Sequence, residues 1–352
     1  MLALFSILAH ALAAPAAAMD SRYAPLLSWL DSCGATIGPV RLGKSAVGAG
    51  AGAFATEALD ENALLFSVPE TACVTLYDAC GDADVGESLA RLTATGQGGA
   101  TVALAGIIAK EWLCEGADGP RGPYLAMLPW NAAWPPEGEQ EQEHVLWWSE
   151  AQVDRLDGSA AYEDAVGIRD QVTLATKVLK SLLGAAVRKA YKDKNEPVWN
   201  VWKADDDIEK AVRGAFVGIL TRSFTQEGGG VAVATAARVA VGSKTDQSAT
   251  RETLPEEKRL VPLLDMLQHA SIPNVKHVAI LDPTTGRQLI EVRTRQRIEA
   301  GDELLNCYDF GEPLAPELFL TRFGFVPGET VGSFVDSLAG KGRLPFGFKL
   351  DV

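Results

Sequence analysis

Three short stretches of this 352-residue chain carry residue types that can do chemistry. Gly48-Ala49-Gly50-Ala51-Gly52-Ala53 satisfies GxGxxG/A, a pattern whose small residues let backbone approach a ligand closely. In a dinucleotide-binding unit this pattern opens a helix whose N-terminus meets the pyrophosphate. Here Phe54-Ala55-Thr56-Glu57-Ala58-Leu59-Asp60-Glu61-Asn62 follows, which reads as a strand and then a turn. That argues against a Rossmann unit and leaves a ligand-approaching or merely flexible turn. The second stretch, Pro262-Leu263-Leu264-Asp265-Met266-Leu267-Gln268-His269, places an acid, an amide and an imidazole in an apolar run. Taken alone, its histidine reads as a hydrogen-bonded core residue. The third, Leu304-Leu305-Asn306-Cys307-Tyr308-Asp309, is a strand that ends on a tyrosine, and a Pro316–Val326 segment rich in phenylalanine follows.

Other chemistries are excluded by what the chain lacks. Five cysteines (Cys33, Cys73, Cys80, Cys114, Cys307) form no CxxC pair, and four histidines form no HExxH, so neither a disulfide framework nor a metal site is expected. A net charge of −14 repels a phosphate backbone, and no dense Lys/Arg block offers a local footprint; nucleic acid is not an expected partner.

The elements that must position these stretches come in blocks. Apolar spacing predicts a helix over 21–32, then short strands near Phe54, over 64–68 and over 73–76. A helical run over 87–224 follows, with helices at 162–192 and 205–224. It includes a Pro-punctuated loop, Pro123-Tyr124-Leu125-Ala126-Met127-Leu128-Pro129, whose neighbouring tryptophans read as packing. Residues 226–259 read as an insertion with one strand at 231–235. Strands return at 278–281, 289–292 and 304–308, and a helix at 316–322. Strands, a helical insert, then strands and a short helix make an α+β fold, not a βαβ repeat.

In order along one chain, GAGAFATEALDENALLFSVP, PLLDMLQHASIPNV and ELLNCYDFG…PELFLTRFGFV resemble the SET-domain methyltransferases. The subgroup is that of the Rubisco large-subunit lysine methyltransferase and the actin-histidine methyltransferase. PYLAMLP and FVGILTRSF resemble motifs of that subgroup's helical insert. The resemblance implies an α+β SET fold of short strands split by a helical insert. It divides the chain into an N-terminal helix and first half-core (20–77), the insert (78–225), a flexible insertion (226–259), a second half-core (260–327) and a tail (328–352). The subgroup's C-terminal substrate-binding domain is expected to be largely absent, the partner being held differently or the gene model being truncated. The cofactor it implies is S-adenosyl-L-methionine, with contacts carried over to Ala49, Gly50, Ala51, Thr221, Arg222, Asp265, Gln268 and His269, and Tyr308 as the catalytic residue. Ala49 stands where some members have Glu, Gln268 where they have Asn, and the Ser-Asn after the tyrosine is missing.

The activity implied is methyl transfer to a lysine of a protein substrate. The alternatives are a histidine acceptor, a SET-fold binding module that has lost catalysis, or an unrelated nucleotide-binding enzyme. The chain is expected to be a monomer without a membrane span. Residues 1–19 carry no charged side chain and end in A-x-A-like sequence. They read as a secretory or plastid targeting leader that lacks a basic start, or as an Ala-rich extension before Met19 in an otherwise cytoplasmic protein.

Overall fold

The computed structural model describes residues 20–47, 50–130, 144–226, 257–282, 286–308 and 313–338. Ten strands are found among them: β1 (Thr36–Ile37), β2 (Val40–Lys44), β3 (Ala51–Ala55), β4 (Leu64–Pro69), β5 (Ser223–Gln226), β6 (Glu257–Leu260), β7 (Gln268–His269), β8 (Val275–Leu281), β9 (Gln288–Thr294) and β10 (Glu303–Asn306). They form a sheet ordered β1-β4-β9-β8, a second ordered β2-β3-β10-β7, and the antiparallel pair β5-β6. In β9 the residues Ile290, Val292 and Thr294 alternate inward, the period of a half-buried strand. By contrast β3 is buried at all five positions, which its Ala-Gly-Ala-Phe-Ala sequence allows because small side chains fit on both faces. The α+β assignment holds.

Between β4 and β5 the chain is helical. The Ala160–Asp193 helix starts at Ser159, whose hydroxyl accepts the Tyr162 N–H, and its last turn holds Lys192, which complements the carboxyl-end dipole. The Ala204–Arg222 helix has Asp205, Asp206 and Asp207 in its first turn and buries Ile208, Ala211, Val212, Ala215, Phe216 and Ile219 on one face. Both pack with the apolar Gln97–Cys114 helix onto the sheets in one continuous core. A second cluster joins Val145, Leu156 and Ala165 to Leu320, Phe334 and Leu338 of the last helices. Among the described residues no helix is long and apolar enough to cross a membrane.

Four expectations are corrected. The strand at 73–76 is one isolated bridge from Val74 to Leu260. Thr75 and Asp78 form a capping box that starts a helix at Leu76, so the apolar signal there belonged to a helix entry. Phe224 sits in β5, not at a helix end. The last core strand stops at Asn306, two residues before Tyr308. The Pro123–Pro129 segment contains a helical turn, Gly122–Leu125, with Pro at its start. The expected strand at 231–235, the leader 1–19 and Ala49 lie outside the described residues.

Candidate active site

The site is assembled on β10. One edge pairs antiparallel with β3, placing Leu304 opposite Ala53. The other pairs parallel with β7, placing Leu305 beside Gln268 and Asn306 beside His269. A parallel pair needs a long crossover, and here β8 and β9 lie within it. Asn274 locks the crossover: its Oδ1 accepts the Leu305 N–H at 2.7 Å and its Nδ2 donates to the Glu303 carbonyl at 2.8 Å. Past the end of the β3–β10 ladder, Gln268 Nε2 donates to the Ala51 carbonyl at 2.6 Å. The three sequence motifs therefore meet within one hydrogen-bonded layer, and the longer Gln268 side chain reaches across to the glycine-rich one.

Just beyond β10, the Tyr308 N–H donates to His269 Nδ1 at 3.1 Å and its hydroxyl donates to the Leu267 carbonyl at 2.7 Å. Both bonds tie the tyrosine to the β7 motif. Because Nδ1 accepts, the neutral imidazole of His269 carries its proton on Nε2. Tyr308, His269, Phe319, Phe323 and Phe325 form a ring cluster with neighbouring centroids 4.9 to 6.3 Å apart. Burial pushes the Tyr308 phenol well above its ordinary value; Arg222 opposes this, while Asp265 and Glu303 add to it. These three charged groups thus lie within electrostatic reach of one tyrosine, which stays protonated at neutral pH.

Asp265 is held in a short 3-10 turn, Leu264–Met266, entered through Leu263 at φ 71°, a conformation that costs a branched side chain energy. Its side chain is fully buried. Oδ2 accepts the Tyr124 hydroxyl at 2.8 Å and lies 3.7 Å from Arg222 Nη1, while Oδ1 has no hydrogen-bond partner among the described residues. Burial raises the Asp265 pKa, and Arg222 and Tyr124 offset only part of that rise. Sealed from solvent, Asp265 sits behind Arg222, whose side chain is 14% exposed and which also lies 3.7 Å from Met266 Sδ. Thr221 donates its hydroxyl proton back to the Val217 carbonyl of its own helix at 2.7 Å.

The glycine-rich turn is held from β10. Glu303 Oε1 accepts the Ser45 hydroxyl at 2.6 Å and Oε2 accepts the Ala46 N–H at 2.8 Å. Ser45 N–H in turn donates to the Gly50 carbonyl at 2.9 Å. Gly50 has φ 85°, which glycine adopts without strain, and a side chain at Gly52 would place its Cβ 2.4 Å from Glu303 Oε1 and 3.1 Å from the Ser45 Cα, so it would displace the Glu303 carboxylate from the turn it holds. Sequence reasoning missed Glu303 and Tyr124. Glu303 opens a strand like any exposed acid, and Tyr124 lies in a motif noted for its resemblance but read as packing.

A model of the SET domain matches residues 50–309 of the chain. No curated protein matches it in sequence. Among solved structures it is similar to the SET domain of LSMT bound to lysine and AdoHcy, at 16% identity and a TM-score of 0.57, over 87% of this chain and 57% of that one. It is likewise similar to Rubisco LSMT bound to sinefungin and monomethyllysine, at 16% identity and a TM-score of 0.58, over 88% and 57%. Rubisco LSMT bound to AdoMet matches at 16% identity with a TM-score of 0.57, again over 88% and 57%. The chain thus spans a little over half the length of these proteins, and at this identity the likeness is one of fold. With the family model covering most of its length and its three motifs joined on one strand, the chain belongs to the SET-domain family.

Proposed function

We propose that the chain transfers the methyl group of S-adenosyl-L-methionine to a lysine side chain of a protein. The observation that carries this reading is the β7–β10 register, which sets Gln268 and His269 beside the strand leading into Tyr308, with Gln268 tied to Ala51 and His269 to Tyr308. The donor set suits an adenosyl amino acid. Arg222 offers a guanidinium for a carboxylate, and Gln268, whose Nε2 already bonds the Ala51 carbonyl, offers its Oε1 beside an aromatic wall. The solved neighbours that hold AdoMet, AdoHcy or sinefungin, two of them together with lysine or monomethyllysine, support the same reading.

When bound, the cofactor supplies an electrophilic sulfonium methyl. The chain's own residues align and dry the acceptor. A free lysine, with a pKa near ~10.4, is neutral in only about one molecule in a few thousand at pH 7. The rings of Tyr308, Phe319, Phe323 and Phe325 replace water around the amine and so favour its neutral, nucleophilic form. Tyr308, kept protonated, orients the amine through its oxygen rather than taking its proton. Weak CH···O contacts to the methyl are a second-order addition.

The test is radiolabelled cofactor with a cell lysate, followed by mass spectrometry of the labelled band. Methyl-lysine on a protein is the expected result. Methyl-histidine would move the acceptor assignment. Tight cofactor binding by calorimetry with no transfer to any protein would overturn catalysis.

A further inference from the structure

A cavity of about 220 Å³ lies between the Ala160–Asp193 and Ala204–Arg222 helices, lined in part by Arg169, Thr173, Lys177, Lys180, Glu209 and Arg213. On the long helix Thr173, Lys177 and Lys180 fall three to four residues apart, so they share one face along the cleft. Arg213 answers them from the facing helix.

The cations outnumber their counter-charges. Glu209 is the sole acid in the lining, and it serves two cations: Lys180 Nζ at 2.7 Å and Arg213 Nη2 at 3.6 Å. Arg169 turns to the Val145 and Trp148 carbonyls and to Glu150, which is 83% exposed and therefore screened. Lys177 makes no hydrogen bond or ion pair among the described residues. Four cations against two carboxylates, one of them outside the lining and solvent-screened, give this cleft a local positive excess in a chain of net charge −14, a field that attracts an anion. Arg213 also lies over the Trp147 ring, with its Cζ 5.6 Å from the centroid, which fixes the guanidinium at the rim.

We propose that this cleft binds a small phosphate-type oxyanion carrying two or more negative charges, at a site separate from the SET motifs. The chemistry selects the ligand class. Lysine and arginine together bind phosphate oxygens, the one as point charges and the other as a planar fork. The volume is below that of sites for drug-sized organic ligands, which begin at about 300 Å³. Lining by Leu146 and Val172 lowers the local dielectric and strengthens the pull on an anion.

The probe is inorganic pyrophosphate, titrated by calorimetry into the full chain at low ionic strength, against sodium chloride of matched ionic strength. Saturable binding at one equivalent per chain is expected. Lys177→Gln, which removes an exposed and unpartnered charge and so spares the fold, should weaken it at least threefold, and Lys177→Gln with Arg213→Gln at least tenfold. S-adenosylhomocysteine affinity, measured alongside, should stay unchanged in the single variant and reports an intact fold independently of methyl transfer. No saturable heat beyond the chloride control, or equal pyrophosphate affinity in wild type and both variants, overturns the proposal.

Discussion

Asp265→Asn separates a residue that stabilises the fold from one that holds a binding group in place. The native carboxylate is fully buried with one hydrogen bond, from Tyr124 at 2.8 Å, and a loose 3.7 Å approach from Arg222. Its pKa is raised, so the folded chain binds this proton more tightly than the unfolded chain does. By linkage, wild-type stability falls as pH rises above the unfolded value of ~3.9, until the folded group ionises. The ionised side chain is therefore a net cost at neutral pH, even after its attraction to Arg222. Asparagine keeps an acceptor for the Tyr124 hydroxyl and removes that cost. It gives up the charge assistance of one hydrogen bond, a difference of about 1 kcal/mol. Urea unfolding at pH 7.5 should accordingly place the variant within about 1 kcal/mol of wild type, with the stability decline at rising pH gone. Arg222 meanwhile loses the charge that orients it. Calorimetry with S-adenosylhomocysteine should then show affinity lower by about 1–3 kcal/mol, roughly 5- to 150-fold. A variant destabilised by more than about 3 kcal/mol, as when a strong buried ion pair is broken, yet binding the cofactor product normally, would refute the argument.

Tyr308→Phe keeps the ring cluster and removes one hydroxyl. Single-turnover methylation at saturating cofactor should slow at least tenfold, about 1.4 kcal/mol, with a smaller change in cofactor affinity, and an unchanged rate sinks the orienting role. Glu303→Gln retains an acceptor for only one of the two bonds to the Ser45–Ala46 turn and should weaken cofactor binding. Coupling with Ser45→Ala of about 0.5–3 kcal/mol is expected in a double-mutant cycle, and strict additivity would deny the clamp. His144 is buried where the chain packs against Gly324, and burial pushes its imidazole down to about 4, with the Arg322 backbone opposing. The folded value lies below the unfolded one, so stability is complete above ~6.5 and is lost as pH falls toward 4, by about 3 kcal/mol in all. Urea midpoints at pH 7.5 and pH 5 should show this for wild type and not for His144→Gln; equal slopes would contradict it.

The parts of the structure that were legible in the sequence are those with a local period. The Ala160–Asp193 and Ala204–Arg222 helices announce themselves by apolar spacing and charged ends, and β9 by alternation. What was illegible is long-range. Glu303 meets Ser45 across 258 residues and Tyr124 meets Asp265 across 141, and no local pattern encodes either partner. Strand β7 is only two residues long, too short for any period, and its place beside β10 is set by Asn274 and by the ladder itself. The 73–76 error had a readable remedy, since Thr75-x-x-Asp78 before a helix is a capping signature that the apolar run around it obscured.

Under the proposed lysine methylation, the electrostatics around Tyr308 set two demands against each other. Asp265 and Glu303 make the surroundings negative, which draws in a cationic amine and a sulfonium, while Arg222 supplies the opposite charge at the buried end. An amine held only by carboxylates would keep its proton and could not attack. Asp265 is sealed from solvent and Glu303 is held by Ser45 and the Ala46 N–H, so on this reading neither pairs directly with an incoming ammonium. The rings packed directly on Tyr308 are His269, Phe323 and Phe325, with Phe319 behind them, so its surroundings are mostly carbon. On the proposed reading, long-range charge favours arrival of the cation and short-range desolvation favours loss of its proton, so attraction and activation fall to different residues.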